Sequence, residues 1–298
     1  MPKKYVFRLF AFCVVVCTTS CPSQKKEGKL QNLSFLSNGI NREYLLYTPG
    51  HLKKDAPLLF AMHGYTGNAK EFMLDKGFNE LADENGFAVC YPQGLTDSAG
   101  KTFWQVGYSF HKNLKVDDVE FLSKLALYLH KAYSLNPEKT YATGESNGAD
   151  MCIVLACKKP GVFKAVAPVL GCMMKAGFDS CNSKIPIPVF MVNGTADDIT
   201  YWDGDMQDKQ GYGPYLPTLD CFNFFVKRNQ CKTYQTDTLP DLNKSDGSII
   251  ITEKYSDGIN GNKVWLYEVV NAKHQWPGCS GNMDIKVSDE ICRFFSLK

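Results

Sequence analysis

The sequence predicts an α/β fold, a mostly parallel central sheet with helices on both faces. Three observations carry this. Continuous apolar runs at 57–62, 87–91 and 186–192 have the pattern of strands buried on both sides. Stretches with helical spacing alternate with them, the order that a parallel sheet requires. The composition, 44% apolar and 21% charged over 298 residues, suits one domain of the larger α/β kind. A net charge of +2 gives no basic footprint, so nucleic acid is not an expected partner.

The N-terminus stands apart. Lys3, Lys4 and Arg8 precede an apolar run at 9–17, and Thr18-Thr19-Ser20-Cys21 follows. That is the charged, apolar, small-residue order of an export signal over 1–20. The run is shorter than the ~20 residues of a membrane-spanning helix. Ser20 before Cys21 fits a lipoprotein signal in which Cys21 becomes the lipidated first residue, although Thr18 stands where such signals usually carry Leu. Residues 21–29 read as a polar tether and 30–298 as one catalytic domain. The expected location is therefore outside the cytoplasm, membrane-anchored through a lipid only, or else secreted.

Alternating stretches at 33–36 and 43–47 flank Ser37-Asn38-Gly39 and predict a β-hairpin. The run at 57–62 is the first buried strand. A helical pattern starts at Asn68, passes Phe72, Phe78 and Leu81, and ends at Gly86; a strand follows at 87–91, stopped by Pro92 and Gly94. Asp117 or Asp118 caps an amphipathic helix carrying Val119, Leu122, Leu125, Ala126 and Leu129, which Asn136-Pro137 ends. Residues 139–143 form a short strand, and Ser146 opens a helix that runs to Lys159. Strands follow at 162–170 and 186–192, a helix at 216–227, a strand at 264–270 and a helix at 288–295.

Twelve cysteines are present, and Cys13, Cys17 and Cys21 fall in the leader. An oxidising compartment makes disulfides plausible. Cys172 with Cys181 and Cys221 with Cys231 are near in sequence, but sequence does not decide pairing. Nothing has the spacing of a metal site.

Gly144-Glu145-Ser146-Asn147-Gly148 carries the chemistry. The pattern is short, and its weight comes from the strand before it and the helix after it, the context of a nucleophile on a tight turn. The plainer reading is a helix-capping serine after a glycine turn. A serine hydroxyl needs a base. Of five histidines only His274 follows Ser146, in a loop at a strand end. The acid should lie between them just past a strand, and Asp197 in Asn193-Gly194-Thr195-Ala196-Asp197 does so; Asp198 is the rival, with Asp203 behind it. Asp197 would hold the His274 tautomer that presents its other nitrogen to Ser146. The oxyanion needs two N–H donors. Asn147 supplies one, and the loop His63-Gly64-Tyr65-Thr66-Gly67 the other, most simply Tyr65. His63 is expected to support this loop. Trp276, Trp104, Tyr65 and Tyr201 are candidates for an aromatic or sugar-binding wall, Trp276 first because it is two residues from the candidate base, with core packing as the alternative for Trp104. Residues 201–215, with Asp203, Asp205, Asp208 and Lys209, are a candidate lid or a plain connector.

Met62-His63-Gly64-Tyr65, Trp104, the stretch Val116-Asp117-Asp118-Val119-Glu120-Phe121, the serine motif, Asn193 to Asp197 and His274-Gln275-Trp276-Pro277-Gly278 occur in one order. Together they resemble the polyhydroxybutyrate depolymerase-like esterases, which include the feruloyl and acetylxylan esterases of carbohydrate esterase family 1. The resemblance runs from about residue 33 to 295. It implies the α/β-hydrolase fold, Ser146, Asp197 and His274 as a triad, and no cofactor. Members often have His for Asn193, Gly for Lys273 and Pro for Asp198, and the last two departures flank the candidate acid and base.

The expected reaction is ester hydrolysis through an acyl-enzyme, first on feruloyl or acetyl esters of polysaccharide, with polyester depolymerisation as the alternative. A non-catalytic surface carbohydrate-binding protein on a hydrolase fold is the reading from another class.

Overall fold

In the computed structural model, residues 1–3 and 27–297 are described. The apolar run of the expected signal and Cys21 lie outside the described residues. The chain first pairs Lys29–Ser37 (β1) with Ile40–Thr48 (β2) as an antiparallel hairpin around Asn38-Gly39. Leu58–Met62 (β3) follows, fully buried. Ala69–Lys76 (α1) starts where the Asn68 side chain accepts the Glu71 N–H. The helical stretch expected as one piece is two: Gly77 takes a left-handed φ of 70° and turns the chain before Phe78–Asn85 (α2).

Ala88–Pro92 (β4) leads to a small antiparallel pair, Leu95–Thr96 (β5) and Thr102–Phe103 (β6). Asp117 caps Asp118–Ala132 (α3). Asp118 instead pairs with the buried Arg42 at 2.6 Å. Then come Thr140–Glu145 (β7), Asn147–Lys158 (α4), Ala165–Val169 (β8), Lys175–Ser180 (α5), Val189–Gly194 (β9), Thr218–Asn229 (α6), Thr233–Thr238 (β10), Ile249–Ser256 (β11), Val264–Val270 (β12) and Val287–Phe294 (α7). The short α5 and the strands β10 and β11 had no clear signal in the sequence.

The large sheet has the order β1-β2-β4-β3-β7-β8-β9-β12-β11-β10. The inner strands from β4 to β12 run parallel, and each edge is finished by an antiparallel pair. Strand alternation divides the core. Leu58, Phe60, Met62, Val189 and Met191 face α3, α4 and α6. Leu59, Ala61, Phe190 and Val192 face α1, α2 and α7. Each large apolar side chain so buried is worth roughly 1.5–3 kcal/mol over exposure, which explains why these strands read as unbroken apolar runs.

Among the described residues a disulfide joins Cys157 at the end of α4 to Cys181 just past α5. Cys172, Cys221 and Cys231 are free thiols, so neither neighbouring pair noted in the sequence is bridged.

Candidate active site

Ser146 lies between β7 and α4 with φ 54° and ψ −120°. A non-glycine residue in that region carries strain of order 1–3 kcal/mol. The turn is held by its packing. A Cβ on Gly148 would lie 2.5 Å from the carbonyl oxygens of Met62 and His63, and one on Gly144 would lie 2.6 Å from Gly148. Only glycine lets β3, β7 and α4 meet this closely. The Ser146 N–H donates to Val169 O (2.9 Å), and its carbonyl accepts the Asp150 N–H (2.9 Å), which ties the turn to β8 and to its own helix.

Two more strand ends carry the candidate acid and base. Parallel neighbours β9 and β12 bring their following loops side by side. His274 Nδ1 and Asp197 Oδ2 are 2.7 Å apart. The other Asp197 oxygen, Oδ1, accepts the N–H groups of Ile199 (2.9 Å) and Thr200 (2.8 Å). The Asp197 side chain is fully buried, whereas that of His274 is 18% exposed. Asp198 points to solvent and lies 3.7 Å from Lys273 in an exposed ion pair. Asp203 is exposed.

The loop after β3 runs beside the serine turn. His63 donates from Nδ1 to Gly64 O (2.7 Å) and accepts the Gly94 N–H at Nε2 (3.0 Å). Burial pushes its ring pKa down to about 4, so it stays neutral and supports the loop. The Thr66 N–H is committed to Thr102 O (2.8 Å) and the Gly67 N–H to Gly64 O. Tyr65 remains the candidate donor of this loop, with the Gly64 N–H beside it. Asn147, directly after Ser146, is buried and uses its amide on Trp104, accepting the Trp104 N–H (2.6 Å) and donating to its carbonyl (3.1 Å). The Trp104 indole N–H in turn holds His63 O (2.9 Å). Trp104 thereby links Asn147, held by its backbone, to the loop that carries Tyr65, held by its indole at His63.

Ser146 and His274 line a cleft of about 380 Å³ with Tyr65, Thr66, Tyr108, Cys172, Ile199, Thr200, Tyr212 and Tyr215. The tryptophans expected in its wall are not there. Trp104 is fully buried behind the oxyanion loop, and Trp276 is 1% exposed, edge-on to Phe72 and Phe78. A large apolar ring beside the base loop was needed by the core on the α1 side of the sheet. Tyr201 is exposed and outside the lining; Ile199 and Thr200 from the same stretch occupy the wall instead.

Tyr65 is in the wall, as expected, but Tyr108, Tyr212 and Tyr215 were missed, because no local pattern marks residues gathered from separate loops. Residues 201–215 deliver two of them as a pinned wall. Asp205 Oδ2 accepts the Gln210 N–H, Asp208 Oδ1 accepts the Gly213 N–H, and the Ser109 N–H donates to Tyr212 O. Asp150, one turn beyond Ser146, was also missed. It is buried, accepting the Tyr108 hydroxyl (2.6 Å) and the Cys172 N–H (2.7 Å). Burial pushes its carboxyl up to about 6 against those bonds. Its signal was present: one carboxylate in an otherwise apolar helical run. Among the described residues, no group of three or more His, Cys, Asp or Glu could hold a metal ion.

Residues 42–214 match the family described as Esterase PHB depolymerase. The chain is 26% identical over 254 residues to a protein of Nocardia uniformis subsp. tsuyamanensis named "Putative esterase NocK", covering 80% of this chain and 72% of that one. It is 31% identical over 153 residues to the acetylxylan esterase of Coprinopsis cinerea, covering 49% and 40%. The chain spans between 22% and 52% of the lengths of the acetylxylan-esterase relatives it matches. In fold it resembles the acetyl xylan esterase from Aspergillus awamori, with a TM-score of 0.67 at 16% identity over 91% of this chain and 100% of that one. The family match covers the candidate oxyanion loop, the serine turn and the loop after β9 that carries Asp197, and by it the chain belongs to the esterase PHB depolymerase family, as an esterase of α/β-hydrolase fold.

Proposed function

We propose that the chain hydrolyses ester groups carried on polysaccharide, acetyl or feruloyl esters first, through an acyl-enzyme on Ser146. The observation that carries this reading is the 2.7 Å pair of His274 Nδ1 with the buried Asp197 in the loop of a cleft that also holds Ser146. Ser146 Oγ attacks the ester carbonyl as His274 Nε2 takes its proton. Asp197 accepts the Nδ1–H and stabilises the imidazolium. The N–H groups of Tyr65 and Asn147 hold the oxyanion. His274 returns the proton to the leaving alcohol, then deprotonates the water that releases the acid. No step requires a cofactor.

Support for a carbohydrate-linked substrate is the set of acetylxylan-esterase relatives, together with a tyrosine-lined cleft able to stack against a sugar or an aromatic acyl group. The family's own description favours a second reading, an aliphatic polyester of hydroxybutyrate type. Turnover of acetylated xylan, methyl ferulate and a hydroxybutyrate oligomer separates them. Hydrolysis of the oligomer alone would overturn the carbohydrate reading. Ser146→Ala should abolish turnover of p-nitrophenyl acetate while the protein stays folded, and full activity would overturn the nucleophile.

Export with a lipid on Cys21 belongs to the same proposal and rests on the order of residues 3–21. Fatty-acid labelling lost in Cys21→Ala is the expected result; label that survives the change would refute it.

A further inference from the structure

Behind the sheet from the cleft, one buried cation touches both halves of the catalytic apparatus. Lys76, the last residue of α1, is only 9% exposed. Its Nζ is 3.2 Å from Glu145 Oε2. Glu145 is the residue before Ser146 and ends β7. The same Nζ stands 5.0 Å from the ring centroid of Trp276 and 5.5 Å from that of Phe72. Trp276 lies two residues beyond His274. The loop after it is also fastened to α1, where the Cys279 thiol donates to Asp75 O (3.0 Å). The Lys76 carbonyl accepts the Ser288 hydroxyl of α7 (2.6 Å).

A lysine is rarely buried unless something holds it there. As a source of stability the arrangement is poor, since apolar side chains of like volume often serve as well as a buried ion pair. What an ion pair and a cation–π contact add is direction. Here the direction is shared: one ammonium is aimed at the residue before the nucleophile and at the ring just past the base. We propose that Lys76 is a positioning residue that holds the Ser146 turn and the His274 loop at their working separation. The proposal rests on the roles given above to Ser146 and His274.

The test uses the full chain with Lys76→Met, Glu145→Gln and the double variant, each first shown by its melting curve to be folded at the assay temperature. Two rates are read: kcat and KM on p-nitrophenyl acetate, and the rate at which a fluorophosphonate labels Ser146. A displacement of about 1 Å in a reacting pair costs on the order of 10²-fold. A tether that is one of several should therefore cost about 10- to 100-fold. The expected result is that loss in kcat and in labelling for Lys76→Met, with KM within about threefold. Glu145→Gln should reproduce much of it, and the double variant should be no slower than Lys76→Met, because both changes cut one link.

A lysine that merely fills space would lower the melting temperature and leave kcat alone. Folded Lys76→Met and Glu145→Gln proteins with kcat within about twofold of wild type would overturn the proposal. So would independent, multiplying losses in the double variant. If Lys76→Met does not fold, Glu145→Gln, altered at a side chain that reaches solvent, decides alone. Ser146→Ala and His274→Ala run beside these: activity in either refutes the catalytic assignment, whereas two dead controls with fast Lys76 and Glu145 variants refute only the positioning role.

Discussion

Replacing Asp197 by Asn tests the proposed base more sharply than deleting it, because the surroundings dictate how the amide must sit. The two oxygens of Asp197 have different duties. Oδ1 accepts two backbone N–H groups, from Ile199 and Thr200, and Oδ2 faces His274 Nδ1. An asparagine that turned its NH₂ toward Ile199 and Thr200 would set donor against donor twice. Each lost bond at a buried site costs ~1–3 kcal/mol, so the oxygen stays on the loop and the NH₂ faces the histidine. His274 Nδ1 must then accept, and the ring proton moves to Nε2, the nitrogen that has to take the proton of Ser146. Forcing the wrong tautomer in this way drops kcat by about 10⁴ in a serine hydrolase of unrelated fold, equal to ~5.5 kcal/mol of transition-state stabilisation. The same loss is expected here in kcat on p-nitrophenyl acetate, with an unchanged circular dichroism spectrum. Asp198→Asn is the matched control and should stay within about twofold, since it alters only an exposed pair worth at most ~1 kcal/mol. An Asp197→Asn enzyme within tenfold of wild type would refute the tautomer argument and, with it, the choice of Asp197.

Three further outcomes are expected. Cys157→Ser with Cys181→Ser opens a cross-link spanning 24 residues, and loop-closure entropy puts the loss near ~3.5 kcal/mol in urea unfolding; a loss below ~1 kcal/mol would show that the bridge does not constrain the unfolded chain. Gly148→Ala places a Cβ 2.5 Å from two backbone oxygens, so the turn must move or the protein must unfold; an alanine variant with wild-type kcat and melting temperature would contradict the packing at the serine turn. The third concerns pH. Folded His63 is lowered to about 4, so its contribution to stability is full above ~6.5 and is lost as pH falls toward 4. Folded Asp150 is raised to about 6, so its burial costs nothing near pH 3 and progressively more as pH rises to 6. At pH 5 the unfolded chain holds an extra proton at His63 and lacks one at Asp150, and the two slopes oppose at roughly 1 kcal/mol per pH unit each. Asp150→Asn should therefore gain stability, relative to wild type, as pH rises from 4.5 to 6 in urea titrations; parallel curves would refute the assignment.

Legibility of the sequence divided along the reach of the forces involved. Burial on both faces writes itself as an apolar run, so β3, β4 and β9 could be read directly, and the order of runs predicted a parallel sheet. Ser146, Asp197 and His274 were candidates because each stands just past an expected strand, and the ends of neighbouring parallel strands converge, although only the strand before Asp197 is an unbroken buried run. The edge strand β10 could not. All six of its residues, Thr233 to Thr238, are exposed, and only pairing with β11 makes it a strand. The break at Gly77 was hidden by apolar spacing that continues across it. Trp276 was misplaced for a related reason. Closeness to His274 along the chain says nothing about which side of the sheet a ring faces, and the core of Phe72 and Phe78 took it. Tyr108, Tyr212 and Tyr215 reach one cleft only after two loops have been pinned together at Ser109, whose N–H donates to Tyr212 O and whose hydroxyl donates to Asp208, contacts between residues far apart in the chain.

The two departures from the family pattern beside the proposed acid and base acquire a meaning from the same consideration. Taken singly, Lys273 would set a cation next to the ring that becomes positive during turnover, and Asp198 would set a second carboxylate next to Asp197. In space they face each other at 3.7 Å with both side chains more than 60% exposed. Charges that cancel at that range, in water and salt, leave little field at His274. The pair also joins the loop after β9 to the loop after β12, the same two loops that the Asp197–His274 bond joins beneath it. Because both side chains are solvated, a charge left unbalanced is itself screened, so Lys273→Ala, like Asp198→Asn, should stay within about twofold of wild type in kcat on p-nitrophenyl acetate, and a tenfold loss in either would refute this reading of the pair.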